Sequence, residues 1–372
     1  MSDHLIADYN DTTVTVSDGS GSTQDLHVIW LRDSCDCPGC RRRSTNERLL
    51  DSTTIPLNIT ILSIEETRRH LVVNTSDGHA AVIDWTWLNR HIRSISQRDA
   101  QAADTELWSF NDDAIATFAA SALERADGVA RWTDAILKRG TACVSGVEPA
   151  LAGLRSVASL IGEIRATNYG VTWTIEADLE PVSAVDSERQ LRVHTDLPYR
   201  EISPGIQLLL AVVVDVPGGA TTLVDGYAVA EKIRLTDPQA WELLTTVEFS
   251  YPFVRDDVEL VGRAPIIGLH SNGGYHQIRW APDLVGSPFL DDPVQAPALF
   301  AALATWSSLV DDPANEIRIT LESGDLLAFN NHRMLHGRTA FQLGAHGRRC
   351  LIGCYLDVED LRSRHAVLTR HR

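Results

Sequence analysis

The chain has 372 residues, with 33 Lys plus Arg against 50 Asp plus Glu and a formal net charge of −17. That length supports roughly two domains, and 44% hydrophobic with 22% charged residues is the composition of a globular protein, not of a disordered or collagen-like one. An acidic surface repels phosphate backbones and anionic lipid, so nucleic acid and membrane surfaces are excluded as expected partners, leaving soluble enzymes and binding modules.

Met1 to Asn10 carries Asp3 and Asp8 and lacks a basic start followed by an apolar stretch, so no secretory signal is expected. The longest apolar run, Ile206 to Val214, is interrupted by Gln207 and falls short of the roughly 20 residues of a membrane helix, which predicts a soluble, cytoplasmic protein. From Thr13 to about Leu88, β-favouring runs (13–16, 26–30, 71–74) alternate with turn signals at Asp18-Gly19 and Asp77-Gly78, predicting a small β-rich domain over 1–98. The polar stretch 96–104 reads as a linker. Apolar residues at spacings of three and four predict helix between Asp113 and Lys138.

The second domain, 108–372, is expected to contain long apolar strands over 205–216, 317–321, 326–329 and 350–356. A helix is expected over 236–244, with a capping residue and Pro238 in its first turn. Many strands with few intervening helices predict a mainly β fold with flanking helices, an antiparallel or mixed sandwich, not a doubly wound sheet. Gly218-Gly219 precedes a strand, so it is no phosphate loop.

Cys35, Cys37 and Cys40 lie within six positions, while Cys143, Cys350 and Cys354 are isolated. On a strand Cys350 and Cys354 would be ~13 Å apart, too far to bridge. A reduced compartment fits, and three close thiolates then ask for zinc with a fourth ligand from elsewhere. His79, after the Asp77-Gly78 turn, is placed for delivery by a loop.

His194-Thr195-Asp196 puts an imidazole and a carboxylate on one face at a strand end, about 6.6 Å apart along it. With one more distant histidine this makes the facial triad of non-haem Fe(II). His336 follows 142 positions later, after an apolar strand that turns polar at Asn330-Asn331. Thirteen positions on is Arg349, whose fork suits the far carboxylate of a dicarboxylate such as 2-oxoglutarate; Arg348 competes for that role.

These residues carry a resemblance. The sequence is similar, from about Trp30 to the end, to the γ-butyrobetaine hydroxylase family of Fe(II)- and 2-oxoglutarate-dependent oxygenases. The shared motifs are Trp30-Leu31-Arg32-Asp33-Ser34-Cys35-Asp36-Cys37, Tyr169-Gly170-Val171-Thr172-Trp173, His194-Thr195-Asp196-Leu197-Pro198, Pro204-Gly205-Ile206-Gln207-Leu208-Leu209, Val224-Asp225-Gly226 and Leu335-His336-Gly337-Arg338. The resemblance implies an N-terminal zinc domain, a double-stranded β-helix (jelly-roll) oxygenase domain and a homodimer. By position it implies zinc on Cys35, Cys37, Cys40 and His79, and iron on His194, Asp196 and His336, with 2-oxoglutarate on Arg349 helped by Thr221 and Leu209. The chemistry it implies consumes O₂ and 2-oxoglutarate, releases succinate and CO₂, hydroxylates the substrate, and uses ascorbate as an in vitro reductant.

A trimethylammonium group has no N–H to donate and is bound by aromatic faces. Tyr169, Trp173 and Tyr355 stand where the family's cage stands, and Tyr199 adds a fourth ring. The chain departs from the family at Ser183–Ser187, which stands where the family has an Asn-x-x-Tyr-Thr-like stretch and whose Asp186 would favour a cation, and at Ile278–Pro282, which lacks the asparagine used for the substrate carboxylate. The expected substrate is γ-butyrobetaine or a close analogue, with trimethyllysine or a trimethylaminoalkyl phosphonate as alternatives. A catalytically silent zinc-bearing scaffold is the alternative of another class, and the intact His194, Asp196, His336 and Arg349 set argues against it.

Overall fold

The computed structural model describes residues 5–17, 23–91, 105–108, 115–176, 187–255, 257–343 and 347–370. The predicted Asp18-Gly19 turn, the linker over 96–104 and Asp186 lie outside the described residues. The chain divides into two compact units, Met1–Ala100 and Gln101–Arg372.

The first unit holds two antiparallel three-stranded sheets, β1 (Leu5–Tyr9), β2 (Thr13–Ser17) and β3 (Thr23–His27), then β4 (Ile61–Glu66), β5 (His70–Thr75) and β6 (Ala80–Asp84). Alternate residues Val14, Val16, Leu71, Val73, Ala81 and Ile83 are buried, as period-two strands with one wet face require. The strand predicted over 26–30 stops at His27. The His27 ring accepts a hydrogen bond from the Ile29 N–H and so caps helix α1 (Val28–Asp33), which brings the chain round to Cys35. Helix α2 (Trp85–His91) follows β6.

The second unit is a jelly roll built on two sheets. Its strands are β7 (Thr117–Ala119), β8 (Thr141–Ser145), β9 (Trp173–Glu176), β10 (Leu191–His194), β11 (Ile206–Asp215) and β12 (Thr221–Asp225), then two hairpins, β13 (Phe249–Arg255) with β14 (Val258–Ala264) and β15 (Ile267–Leu269) with β16 (Tyr275–Ile278), and finally β17 (Glu316–Ile319), β18 (Leu326–Asn330), β19 (Met334–Arg338) and β20 (Arg348–Leu356). One sheet runs β7-β8-β18-β11-β20-β9 and the other β10-β19-β12-β17. Leu209, Ala211, Leu327, Phe329 and Leu351 of the first pack with Leu223 and Met334 of the second, forming the core between them. The alternate residues Ile206, Leu208 and Leu210 face helices α3 (Ala126–Arg139), α4 (Leu151–Ala158) and α8 (Val358–Thr369). Gln207 and Leu209 therefore point to the inner face.

Among the described residues, the α-helix expected from Asp113 begins at Ala126. Thr117–Ala119 pairs in parallel with Cys143–Ser145, so the ladder takes Phe118 and Ala119 out of the helical pattern, while Leu123 falls in a short 3-10 helix, Ala120–Glu124. The helix expected over 236–244 is α6 (Pro238–Thr246), directly after α5 (Gly226–Thr236). Asp237 accepts from the Ala240 N–H, with Pro238 at its first position. Helix α7 (Ala296–Val310) lacks any charged residue, and Pro293–Val310 is long and apolar enough, by length and composition, to cross a membrane. Leu299, Ala302, Trp306 and Val310 recur at helical spacing and are buried in the core formed with α5 and α6, which accounts for its hydropathy as a core helix.

Candidate active site

The described part of the second unit contains a cavity of about 370 Å³ between the sheets, lined by His194, Asp196 and His336. His194 ends β10 opposite His336 on β19, and Asp196 lies two residues past the strand end. The His194 Nδ1–H donates to the Arg192 carbonyl at 2.9 Å, which leaves Nε2 with its lone pair facing inward. Asp196 Oδ1 is 3.3 Å from His194 Nε2 and 3.6 Å from His336 Nε2. Burial alone would raise the Asp196 carboxyl, but His336, His194 and the Tyr355 hydroxyl outweigh it and hold the group well below the usual carboxylate range. Burial pushes His336 down to about 4, so its imidazole is neutral and able to ligate.

Two imidazoles and a carboxylate, with donor atoms all within 4.8 Å of one another on one cavity wall, fit the facial set of non-haem Fe(II). The open cavity side leaves room for further ligands.

Asn331 holds this arrangement, and the residue pattern had not singled it out. Fully buried, it accepts from the Asp196 N–H at 2.7 Å and donates through Nδ2 to the carbonyls of Asp196 (3.1 Å) and Pro204 (2.9 Å). The next residue, Leu197, has a φ of 53°, a left-handed conformation that costs a non-glycine residue about 1–2 kcal/mol. The Asn331 amide therefore clamps a strained turn from both sides of the Asp196 peptide. Asn331→Ala is expected to weaken Fe(II) or Co(II) binding about 10- to 100-fold, the usual cost of losing a group that orients a ligand. Titration of the metal-free protein measures it, and an unchanged dissociation constant would refute the clamp.

At the β12 end of the cavity Arg349 is buried, with Thr221 and Leu209 on the same walls. Its Nη2 reaches the Gly219 carbonyl at 3.5 Å and its guanidinium lies over Phe341, yet among the described residues it has no carboxylate partner. Burial, reinforced by Arg338, pushes its pKa down to about 10. A buried cation without a counter-charge is costly and calls for an anionic ligand. Arg348, in contrast, is exposed and faces Glu176 at 3.4 Å.

The predicted aromatics line the same cavity. Trp173 packs on Tyr355 with ring centroids 5.5 Å apart. Gly353 makes this possible, because a Cβ there would collide with the Trp173 ring. Tyr199 is buried and stacks on Phe253 at 4.3 Å, and the half-exposed Tyr169 meets the edge of Phe253 at 6.2 Å. Tyr355 has a second role that ring chemistry did not indicate: its hydroxyl donates to Asp196 Oδ2 at 2.7 Å, leaving Oδ1 for the metal side.

In the first unit, the Sγ atoms of Cys35, Cys37 and Cys40 lie 3.4, 3.6 and 3.4 Å from His79 Nε2. A tetrahedron with Zn–S of about 2.3 Å and Zn–N of about 2.0–2.1 Å has an S···N edge of about 3.6 Å, so the four residues fit zinc. Arg32 donates to Cys40 Sγ and pairs with Asp77 at 2.8 Å, while the Val82 N–H points at Cys35 Sγ at 3.3 Å. Gly78, at φ 79°, makes the turn that presents His79, whose N–H is held by Asp77.

Comparison with known proteins agrees with this geometry. Residues 104–355 match the taurine catabolism dioxygenase TauD, TfdA family, and residues 6–89 match the gamma-butyrobetaine hydroxylase-like N-terminal family. The chain is 33% identical over 364 residues to the gamma-butyrobetaine dioxygenase of Pseudomonas sp. (strain AK-1), covering 96% of this chain and 94% of that one. It is 29% identical over 377 residues to dioxygenase str8 of Strobilurus tenacellus, covering 94% and 88%. Over 388 residues it is 28% identical to the trimethyllysine dioxygenase of Meyerozyma guilliermondii, covering 98% and 96%. With the His194–Asp196–His336 set facing a cavity that also holds an arginine with no carboxylate partner among the described residues, the chain belongs to the TauD, TfdA family and is an Fe(II)- and 2-oxoglutarate-dependent dioxygenase.

Proposed function

We propose that the protein hydroxylates a small trimethylammonium compound, γ-butyrobetaine or a close analogue. The observation that carries this reading is the aromatic wall of Tyr169, Trp173, Tyr199 and Tyr355 on the same cavity as the metal-ligand set. Aromatic faces attract a cation that cannot donate a hydrogen bond, at about 0.5–2 kcal/mol per ring. The Pseudomonas relative, named a gamma-butyrobetaine dioxygenase, supports the same substrate class.

In this reading His194, Asp196 and His336 hold iron, Arg349 pairs with the far carboxylate of 2-oxoglutarate with Thr221 and Leu209 beside it, and Cys35, Cys37, Cys40 and His79 hold a structural zinc. When bound, iron and 2-oxoglutarate would supply the oxidising power by which O₂ converts 2-oxoglutarate to succinate and CO₂ and hydroxylates a substrate C–H bond. The chain's own contribution is to orient the substrate over the metal face and keep water from it. Tyr355 keeps its proton, since burial and the Asp196 carboxylate push its hydroxyl well above the usual value, so it remains a donor to Asp196. A zinc domain over 1–98, an oxygenase domain over 108–372, a homodimer and a cytoplasmic location complete the proposal.

A panel of methylated ammonium compounds, read by succinate release and product mass, tests it. Trp173→Leu should raise the KM for the preferred quaternary amine about tenfold, the loss of one good cation–aromatic contact. If quaternary amines were inert while an uncharged compound turned over, the reading would fail.

A further inference from the structure

The cavity carries one cation more than the co-substrate needs. Arg349 lies at its β12 end. Arg192 is engaged by Asp311 and Ser307, and Arg338 donates to the Ser187 and Arg189 carbonyls. Arg255, the last residue of β13, also lines the cavity, and among the described residues it has no carboxylate partner. Its guanidinium lies 5.6 Å from the centroid of Phe253, the ring that stacks on Tyr199 and touches Tyr169. The aromatic wall thus has a positive charge beside Phe253, the ring on which Tyr199 stacks.

We propose that Arg255 binds the anionic end of the substrate, so that the enzyme recognises a zwitterion carrying a carboxylate or phosphonate rather than a cation alone. The inference rests on the trimethylammonium reading and names the other half of that substrate. Arg255 is exposed at the cavity mouth, and its guanidinium fork can meet either oxyanion with two parallel N–H donors. A cation-only ligand would leave Arg255 unpaired and repelled by the bound ammonium. A zwitterion places an opposite charge beside each group.

The test uses the full chain loaded with iron and zinc. The compounds are γ-butyrobetaine, its carboxamide, 2-trimethylammonioethylphosphonate and a straight-chain carboxylate lacking the ammonium group. Succinate release and product mass report turnover, and competitive inhibition reports binding of compounds that are not turned over. The wild-type protein should favour the anionic trimethylammonium compounds over the carboxamide by about tenfold or more in KM or inhibition constant, and the lower of the carboxylate and phosphonate values assigns the anion. Arg255→Gln should raise the value for the anionic compounds until that preference is lost, and Arg255→Lys should restore part of it. The KM for 2-oxoglutarate separates local loss from a damaged cavity. The inference is overturned if the wild type shows no preference for an anion, binds no anionic compound, or keeps its preference in Arg255→Gln. If only the ammonium-free carboxylate binds, and binds through Arg255, the trimethylammonium reading falls while the role of Arg255 stands.

Discussion

Asp196→Ala is expected to abolish substrate-dependent succinate formation, by about 10³-fold or more, while the protein stays folded. The change removes the one anionic donor of the set and leaves two imidazoles, too few to hold a divalent ion facially with open positions. A loss of that size corresponds to roughly 4 kcal/mol in the barrier. The fold should persist because Asn331 grips the main chain at Asp196, through its N–H and its carbonyl, and those atoms are untouched by the substitution. What the side chain leaves behind is the Tyr355 hydroxyl, which gives up an acceptor, and the His194 and His336 rings, which lose a counter-charge. Neither histidine must stay charged, so the cost to folding is that of an unpaired buried hydroxyl, about 1–3 kcal/mol. Metal titration, succinate assay and thermal melting on the same preparation separate these effects. Full succinate formation in Asp196→Ala would remove Asp196 from the set, and loss of folding would instead assign it a structural role.

How much of this site is legible in the sequence depends on how local its chemistry is. Three cysteines within six positions, and a histidine and aspartate two positions apart at a strand end, are readable because backbone geometry alone brings such neighbours together. His336 is readable at long range because it follows an apolar strand that turns polar at Asn330-Asn331, and Arg349 because it opens an apolar strand whose alternate residues are buried. Asn331 is not. It acts on a peptide group 135 positions away, and nothing about an Asn-Asn pair at a strand end distinguishes a clamp from a turn. Arg255 and Phe253 escape for a similar reason, since the β13–β14 hairpin reaches the cavity only through tertiary packing.

Pattern also misleads where two elements satisfy it. The apolar residues between Ile115 and Leu123 are spaced for an α-helix, yet Phe118 and Ala119 go to the strand pairing with β8 and Leu123 to a short 3-10 helix. In α7, hydropathy over Pro293–Val310 reaches the level of a membrane span because one stripe is core and the outer face is Ala and Phe without charge. The jelly-roll class itself was accessible, because long apolar strands outnumbered helices, and the two sheets bear it out.

Cys40→Ser is expected to destabilise the first unit by about 4 kcal/mol or more and to release its zinc. Cys35 and Cys40 are buried members of the same core as Val28, Leu31, Ile83 and Leu88, so the metal site and the core cannot be lost separately. Without a metal, three sulfurs and an imidazole crowd within 4.8 Å, and burial pushes the Cys35 thiol up to about 12, so no set of charges inside the cluster replaces the cation. Serine keeps the size of the side chain but is a poor zinc ligand, and it leaves the Arg32 guanidinium facing a hydroxyl in place of a thiolate. Zinc content per chain should fall from one to well below one, and urea unfolding should show an early transition. The Trp30–Trp87 pair, with centroids 5.5 Å apart, is a spectroscopic reporter of that unit, and Trp30→Phe identifies its contribution. Retention of one zinc per chain with an unshifted transition in Cys40→Ser would contradict the four-ligand assignment. If zinc were lost and the early transition did not appear, the core of this unit would be self-sufficient, and the metal would serve some end other than its stability.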